Sequence, residues 1–455
     1  MDSPQKCEKV LEDSEDRISN LPDSVLCYIL SFLPTKDAGR TSVLSTRWKY
    51  LFISSPNLDF DDSFRRKGSR HRFVNFIYGL LALRGPSQMN RFRLKCDVYL
   101  DVPHVNTWVS AAVRRNVQEL DIDLQMAHNT GGTNLSLLPY DLFTCRTLVV
   151  LKLDVDYDLN VPSNVSLPRL KTLHLQYLSL QYDSFKRMLS GCPVLEDLLT
   201  CDCRFEGVQI FDISVSTLKR LALLYAQVGN LAEVVIDAPY LQYLRYEDDM
   251  VRKGYTLKGL TCLVEAHLCI ELSAQQETEQ NLLFYAPPVA KIFEAVSKVV
   301  SLHLTGYSVS VLEVIQRSVP TFPNLIRLEV DSHNDTGLEM LAELLRCSPN
   351  LEVLVVGHVY KDVGSLTSFR IFTGYLSLRL KEVELHEFTG SEHELEVVEY
   401  LLESAESLEK MTIGIPSSRR KPHISKKLLT FPRRSRTCRI FVTGKRNRRY
   451  LSDIM

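Results

Sequence analysis

LKTLHL, at residues 170–175, has leucine at its first, fourth and sixth positions, and this spacing of apolar side chains returns along much of the chain. The fourth and sixth positions alternate as in a β-strand, whereas the first lies where the chain turns into the strand. Each copy can therefore bury three side chains in a core shared with its neighbours. The clear copies are LVVLKL (148–153), LKTLHL (170–175), LKRLAL (218–223), LQYLRY (241–246), VVSLHL (299–304), LIRLEV (325–330), LEVLVV (351–356), LKEVEL (380–385) and LEKMTI (408–413).

Weaker copies begin at Val117, Leu195 and Leu263, so that most successive copies start 22 to 29 residues apart. This is the period of leucine-rich repeats. Segments with the apolar spacing of helices lie between the strands, at 183–190, 289–296, 337–345 and 394–402. The pattern predicts an α/β fold in which a curved parallel sheet forms the inside of a leucine-rich-repeat solenoid and helices lie outside.

The composition of the 455 residues is typical of a soluble globular protein, with 45% apolar and 24% charged residues. The longest apolar stretches, such as residues 25–33, are about half as long as the ~20 residues that span a bilayer. The first 17 residues are too charged for a signal peptide. We therefore expect a protein of the nucleus, the cytoplasm or both, without a membrane partner. Eleven scattered cysteines favour reduced thiols over a disulfide framework, and we expect no metal and no cofactor.

The net charge of the chain is close to zero, but residues 414–452 contain thirteen Lys or Arg and no Asp or Glu. Such a run indicates a solvated basic surface, a nuclear-import signal or a nucleic-acid contact. We favour the solvated surface and do not expect a nucleic-acid partner.

Residues 18–52 read ISNLPDSVLCYILSFLPTKDAGRTSVLSTRWKYLF and predict two short helices that Pro34 separates. Apolar residues recur in the first helix at intervals of three and four, and the second, opened by Thr35, places further apolar residues on one face. About 40 residues are too few to bury such a surface alone, which predicts a partner. Within the second helix Gly39 both forgoes packing and weakens the helix, and we predict that valine there tightens binding of this partner.

This segment resembles the F-box family, in which L-P-x-x-[VL]-L-x-x-I-L-x-x-L-P precedes a second helix with S-V-L-S-x-R-W. The resemblance implies an F-box over residues 17–55, after a disordered segment at 1–16. It also implies contact with a SKP-type adaptor and, through that adaptor, with a cullin and a RING subunit. The adaptor-binding residues that it implies are Leu21, Pro22, Ile29, Leu30, Leu33, Pro34, Val43, Leu44 and Trp48.

The C-terminal part resembles the FBD domain, which accompanies F-box and leucine-rich repeats in many plant proteins. The resemblance rests on LKEVELHEFTGSEHELEVVEYLLESAESLEKMTI (380–413) and KKLLTFPRRSRTCRIFV (426–442). We place the FBD cap at 376–442, the solenoid with an irregular N-terminal cap at 56–375 and a basic tail at 443–455. This order of domains is similar to that of plant F-box, FBD and leucine-rich-repeat proteins.

The resemblances imply a substrate receptor of a SKP–cullin–F-box ubiquitin ligase, whose repeats hold an unidentified protein target. Such a receptor needs no catalytic residue, because it acts by raising the effective concentration of a target lysine. The chain has no GxSxG, GxGxxG, GxxxxGK[ST] or HExxH motif, which argues against an enzyme. A scaffold without a role in ubiquitin transfer and a receptor that needs a small-molecule co-ligand are the alternatives.

The residues that flank the central leucine of each strand are expected on the concave face, where a target would bind. Their mixed polarity favours a protein target, although each is also an ordinary solvated strand position. The candidates are Thr172, His174, Arg220, Tyr243, Arg245, Ser301, His303, Arg327, Glu329, Glu382 and Glu384.

Overall fold

The structure is a computed structural model, and it describes residues 17–18, 20–61, 70–86, 88–96, 100–124, 137–229, 232–271, 279–306, 308, 319–331, 338–357, 379–416 and 421–444. The chain divides into two compact units, residues 1–151 and 152–455. The segment expected to be disordered at 1–16, and residues 445–455 of the expected basic tail, lie outside the described residues. No helix within the described ranges is long and apolar enough to cross a bilayer.

The first unit opens with three short helices where the sequence predicted two. A 3-10 turn at Thr41–Val43 follows the second helix, and the hydroxyl of Ser45 then accepts a hydrogen bond from the backbone N–H of Trp48 at 3.3 Å. Ser45 thus starts a new helix as its N-cap, and the expectation of one helix from Thr35 to Leu51 is wrong. The helices of this unit are α1 (Asp23–Ser31), α2 (Thr35–Arg40), α3 (Thr46–Ile53), α4 (Arg70–Leu83) and α5 (Val102–Val113).

Three parallel strands complete this unit in the order β1 (Asn57–Asp61), β2 (Arg91–Cys96) and β3 (Glu119–Leu124). Buried apolar residues alternate with polar ones along each strand, so one face of the sheet belongs to the core. Charged side chains form a ladder across the other side of this three-stranded sheet. Arg93 lies between Asp59 and Asp121, with nitrogen to oxygen distances of 3.6 and 3.3 Å.

The three N-terminal helices are attached to β1 by hydrogen bonds. The hydroxyl of Thr35 accepts a bond from the backbone N–H of Asp59 at 2.5 Å, and the side chain of Asn57 donates to the carbonyl of Ser31 at 3.4 Å. The buried guanidinium of Arg84 donates to the carbonyl of Ile53 at 3.1 Å. The helices and β1 therefore fold as parts of one unit.

The second unit contains a long sheet in which strands follow the order β4-β5-β6-β9-β11-β13-β14-β15-β16-β17-β18-β19, with β7 beside β5. Its neighbouring strands pair in parallel from β5 onward, as a stack of leucine-rich repeats requires. The strands of this unit are β4 (Val150–Asp158), β5 (Thr172–Gln181), β6 (Asp197–Cys201), β7 (Arg204–Glu206), β8 (Ile210–Ser214), β9 (Arg220–Leu224), β10 (Glu233–Asp237), β11 (Tyr243–Asp248), β12 (Gly254–Lys258), β13 (Glu265–Ile270), β14 (Ser301–Thr305), β15 (Arg327–Asp331), β16 (Val353–Val356), β17 (Glu382–Leu385), β18 (Lys410–Gly414) and β19 (Arg439–Thr443).

Helices follow some strands of this sheet, at the four places where the repeat pattern predicted them and also at Lys421–Leu428. Between β6 and β13, however, the returning segments are the strands β8, β10 and β12, which form a second parallel sheet in place of helices. In two of these segments, IFDIS and EVVID, buried positions alternate with more exposed ones and β-branched residues are frequent, as is typical of a strand. The helices are α6 (Tyr182–Ser190), α7 (Glu279–Ala295), α8 (Leu338–Arg346), α9 (Glu392–Ser404) and α10 (Lys421–Leu428).

Candidate protein-docking surfaces

The three N-terminal helices leave large apolar side chains in water. Tyr28 on α1 and Phe32 directly after it are 66% and 69% exposed, and Val43 and Leu44 in the turn before α3 are 85% and 66% exposed. Each such side chain releases about 1.5 to 3 kcal/mol when it leaves water completely. We call the exposed apolar residues Val25, Tyr28, Ile29, Phe32, Leu33, Val43 and Leu44 the helical docking surface.

Most of the adaptor-binding residues implied by the sequence are accessible. Leu21 is half-buried, whereas six of them are exposed, namely Pro22, Ile29, Leu33, Pro34, Val43 and Leu44. Leu30 and Trp48, in contrast, are only 1% and 8% exposed and lie in the core of the unit. In this structure these two side chains support the helices and are covered.

The ends of α1 and α3 are joined by the side chain of Arg47. Its guanidinium donates to the carboxylate of Asp23 at 2.6 and 2.8 Å and to the carbonyl of Leu21 at 2.6 Å. These charge-assisted bonds hold the start of α1 against α3. They therefore fix the relative position of the apolar side chains of the helical docking surface.

Sequence reasoning missed two members of this surface, Tyr28 and Phe32, whereas Val25 belongs to the apolar positions predicted for the first helix. Tyr28 on α1 and Phe32, which directly follows α1, contact each other edge to face, with ring centroids 4.8 Å apart. The signal for them was the number of apolar residues on α1, which exceeds what one buried stripe of nine residues accommodates.

Gly39 occupies a closely packed position in α2. A Cβ atom there would lie 3.3 Å from the ring of the buried Phe52. Valine carries two further methyl groups, which would have to displace that ring. That valine here tightens partner binding stays a prediction, and the close packing against Phe52 argues against it.

In the second unit, the residues predicted to bind a target lie on the sheet face that is opposite to the core leucines, which we call the opposite face. Thr172, Arg220, Tyr243, Ser301, Arg327 and Glu382 share one row across the paired strands, and Arg245, His303, Glu329 and Glu384 share the next. All ten are at least partly accessible. His174 belongs to the second row but is only 4% exposed, so the expectation that it is displayed is wrong.

The reason for the burial of His174 is a small apolar cluster on the neighbouring strands. Leu199, Cys201, Ala222 and Leu224 are each at most 5% exposed, and Tyr225 packs against them. The sequence shows apolar residues at these positions of the opposite face, a signal that could have predicted the burial of His174. Because the cluster is covered, this part of the opposite face offers no docking surface.

A continuous series of polar contacts runs along the middle of the opposite face. The guanidinium of Arg220 lies 4.4 Å from the ring centroid of Tyr243, which in turn contacts the ring of His267. The Nε2 atom of His267 lies 2.6 Å from the carboxylate of Glu265. Its Nδ1 atom is 3.0 Å from Nδ1 of His303.

The two imidazoles restrict each other's protonation. One Nδ1 atom donates to the other, so the acceptor carries no proton there and the hydrogen-bonded pair holds at most one positive charge. Burial lowers the pKa of His303, and the proximity of His267 and Arg245 lowers it further, against the opposing effects of Glu329 and Asp331. His303 is therefore neutral near neutral pH.

The FBD-like part of the unit contributes β17, α9 and β18. Ser391 caps α9 by accepting a hydrogen bond from the backbone N–H of Glu394 at 3.3 Å, and the carboxylate of Glu394 accepts one from the backbone N–H of Ser391 at 2.7 Å. This reciprocal capping box fixes the start of α9. In the chain as described, no group of three or more His, Cys, Asp and Glu side chains is arranged to hold a metal ion.

Comparison with known protein families divides the chain in the same order as the sequence analysis. Residues 18–60 match the model of the F-box domain. Residues 105–263 match a model described as FBD-associated F-box protein At5g56370, LRR repeats, and residues 374–413 match the FBD model. The helical docking surface lies inside the first match, and the opposite face of the sheet runs through the other two.

Similar proteins occur in Arabidopsis thaliana. The F-box/LRR-repeat protein At3g59200 is 35% identical over 369 residues, which cover 75% of this chain and 69% of that protein. The F-box/LRR-repeat protein At4g14103 is 34% identical over 76% of this chain and 92% of its own length. The putative F-box/FBD/LRR-repeat protein At3g59240 is 31% identical over 88% of this chain and 83% of its own length.

Proposed function

Because the chain belongs to the family of F-box/LRR-repeat proteins, we propose that it is the substrate-recognition subunit of a SKP–cullin–F-box ubiquitin ligase. The observation that carries this proposal is the helical docking surface, an exposed apolar surface within the residues that match the F-box domain. A surface of this kind is stabilised when a partner removes it from water. The partner is a SKP-type adaptor, which links the chain to the cullin and the RING subunit.

The helical docking surface has the composition of a strong interface. It combines aromatic residues, Tyr28 and Phe32, with aliphatic ones on α1 and in the turn before α3. Interface energy concentrates in such large side chains once they are desolvated. Pre-ordering by Arg47 reduces the entropy that docking has to remove.

The second unit holds the protein target in this proposal, through the accessible part of the opposite face. Ubiquitin transfer then requires only that a target lysine is kept near the charged enzyme of the ligase, which raises its effective concentration. The chain acts as a non-catalytic receptor in the nucleus, the cytoplasm or both.

Calorimetric titration with a purified SKP-type adaptor tests the proposal. The double variant Tyr28→Ser/Leu44→Ser removes two exposed anchors, and we expect adaptor affinity to fall at least about thirtyfold, or ~2 kcal/mol. The matched control is Leu83→Ser/Tyr140→Ser, which changes side chains of the same unit that are 65% and 57% exposed but lie outside the three helices. The control should bind as the wild type does.

Reconstitution extends this test to the ligase. The wild type, but not the double variant, should co-purify with cullin and RING subunits when the adaptor is present. Adaptor affinity that is the same in all three proteins would show that the helical docking surface is not the adaptor site. Adaptor binding without recruitment of the cullin would favour a scaffold without a role in ubiquitin transfer.

A further inference from the structure

The long sheet of the second unit ends at β19, whose outer edge is open within the part of the chain that the structure describes. β19 ends the strand order and pairs with β18. The backbone N–H of Arg439 donates to the carbonyl of Glu409 at 2.9 Å, so the backbone groups of Arg439 point to β18. Because these groups alternate between the two sides of a strand, those of Ile440 and Val442 point away from β18. We call this side of β19 the open edge.

Two other edge strands of the molecule are closed by hydroxyl groups. At β1, the hydroxyl of Thr35 accepts a hydrogen bond from the backbone N–H of Asp59. At β8, the hydroxyl of Tyr182 accepts one from the backbone N–H of Asp212 at 2.7 Å. No described side chain does the same at the open edge. An edge strand with free backbone groups is a template for pairing with another chain.

The side chains of β19 also lack a neighbouring layer. Ile440 and Val442 lie beside Met411 and Ile413 of β18, which are both fully buried, yet they are themselves only partly buried. Phe441, on the other side of the sheet, is 46% exposed. One further strand with apolar side chains would cover the core side of β19, as a capping element does at the end of a solenoid.

The surroundings of β19 are strongly basic. Between residues 406 and 444, the described side chains include seven Lys or Arg and two Glu. Arg434 pairs with Glu406, and Lys410 pairs with Glu382 on the preceding strand. Arg439 lies beside Lys410 in the same row and has no carboxylate partner among the described residues. A carboxylate on a strand beyond β19 would supply the missing opposite charge.

We propose that the open edge binds an extended acidic segment of a partner protein, which adds a strand to the sheet. The main chain of the segment pairs with the outward backbone groups of Ile440 and Val442. Apolar side chains at alternate positions cover these two residues on the core side, and carboxylates at the positions between them lie beside Arg439. This interaction uses no residue of the helical docking surface and goes beyond the proposed receptor function.

Other occupants satisfy fewer of these features. A second copy of this chain would bring two sets of unpaired cations together at the edge. A nucleic acid would neutralise the cations but leave the backbone edge and the apolar side chains of Ile440 and Val442 uncovered. A neutral apolar strand would leave Arg439 without a countercharge. The combination therefore selects an acidic polypeptide.

The experiment uses the full chain and fluorescent nine-residue peptides with blocked termini, measured by anisotropy. The test peptide alternates glutamate and valine, the second has lysine for each glutamate, and the third has serine for each valine. We expect the glutamate–valine peptide to bind at least about tenfold more tightly than either of the others. Its affinity should fall between 50 and 300 mM salt, because exposed charges are screened.

Backbone methylation tests the pairing of the strands. Two further glutamate–valine peptides carry N-methyl groups either on the valines or on the glutamates, which removes the N–H groups along one side of the peptide. In an antiparallel pair the peptide residues opposite Ile440 and Val442 bond to them, whereas in a parallel pair the residues between do so. One methylated peptide should therefore lose binding and the other should keep it.

Variants locate the peptide at the open edge. Val442→Pro removes an outward N–H and leaves the bonds to β18 in place, because proline is tolerated on the free side of an edge strand. It should weaken binding at least about tenfold, whereas Val442→Ala, which keeps the N–H, should weaken it by no more than about threefold. Arg439→Gln should weaken binding by about fourfold. Its matched control is Arg434→Gln, which also removes one positive charge but one that Glu406 pairs, and it should bind as the wild type does.

Equal affinity for the three unmethylated peptides, no binding by any of them, the same result for both methylated peptides, or equal effects of test and control variants would overturn the inference. Sedimentation velocity examines the second copy, and a dimer that Val442→Pro dissociates would assign the edge to self-association instead. A twelve-nucleotide RNA that binds more tightly than the glutamate–valine peptide would assign the cations to nucleic acid and would also overturn it. The adaptor titration does not involve this edge, so the two proposals fail separately.

Discussion

The guanidinium of Arg252 donates to both carboxylate oxygens of Asp248, at 2.5 and 2.7 Å, although the two residues are only 2% and 3% exposed. Arg252 also donates to the carbonyls of Val228 and Ala226, and the hydroxyl of Tyr246 donates to Asp248 at 2.6 Å. Asp248 is the last residue of β11, and Arg252 lies in the loop that joins β11 to β12 of the second sheet. It connects the sheets by satisfying buried polar groups that would otherwise be costly.

Arg252→Met should destabilise the second unit by about 3 to 5 kcal/mol, because it leaves the Asp248 carboxylate buried without a countercharge. Urea unfolding monitored by circular dichroism measures the change. The control is Arg245→Met, which breaks the more accessible pair of Arg245 with Glu247 and should cost roughly 1 kcal/mol or less. Equal losses in the two variants would contradict a special role for the buried pair.

Gly39→Ala and Gly39→Val should change the free energy of unfolding of the first unit in different directions or by different amounts. Alanine gains up to ~1 kcal/mol of helix propensity, and its Cβ requires Phe52 to move by only a few tenths of an ångström. Valine forces the ring further and should destabilise the first unit by about 1 to 3 kcal/mol. Urea midpoints of the two variants and the wild type decide this, and a more stable valine variant would show that Phe52 relaxes freely.

Trp48→Ala and Tyr28→Ala should distinguish a residue that stabilises the F-box helices from a residue that contacts the adaptor. Trp48 is covered, so its truncation should lower the free energy of unfolding of the first unit by about 3 to 5 kcal/mol. Tyr28 is exposed, so its truncation should change that free energy by at most about 0.5 kcal/mol while weakening the adaptor. A Trp48→Ala variant of normal stability that no longer binds the adaptor would make this tryptophan a contact residue.

Acidification should weaken the second unit through His303. Its pKa in the folded chain lies below the ordinary value near 6.5. Below that ordinary value the unfolded chain binds a proton at this histidine more readily than the folded chain does. The stability that neutral His303 contributes is therefore fully present above pH ~6.5 and is lost as the pH falls below it. Thermal unfolding of wild type and His303→Gln at pH 7.5 and 5.5 should show a smaller loss in the variant. His393→Gln, at an exposed position on α9, is the control and should lose as much stability as the wild type.

Much of this architecture follows from spacing alone. The repeated apolar positions predicted the parallel strands, and the same register predicted that Arg327 and Glu329 would lie on one face. Two local features were harder to predict from the sequence. The break at Ser45 depends on one side-chain cap within an apolar pattern that also fits a continuous helix. The burial of His174 depends on neighbours that are 25 to 50 residues away in the chain.

The charge ladder of the first unit has a consequence for how its strands find their order. The charged face residues of β1 are acidic, those of β2 are basic, and those of β3 are acidic again: Asp59 and Asp61, then Arg91, Arg93 and Lys95, then Glu119, Asp121 and Asp123. Direct pairing of β1 with β3 would place carboxylates opposite carboxylates, which is unfavourable. The ladder therefore favours the native order of the three strands during folding, because only the arrangement with β2 in the middle pairs every strand with a neighbour of opposite charge.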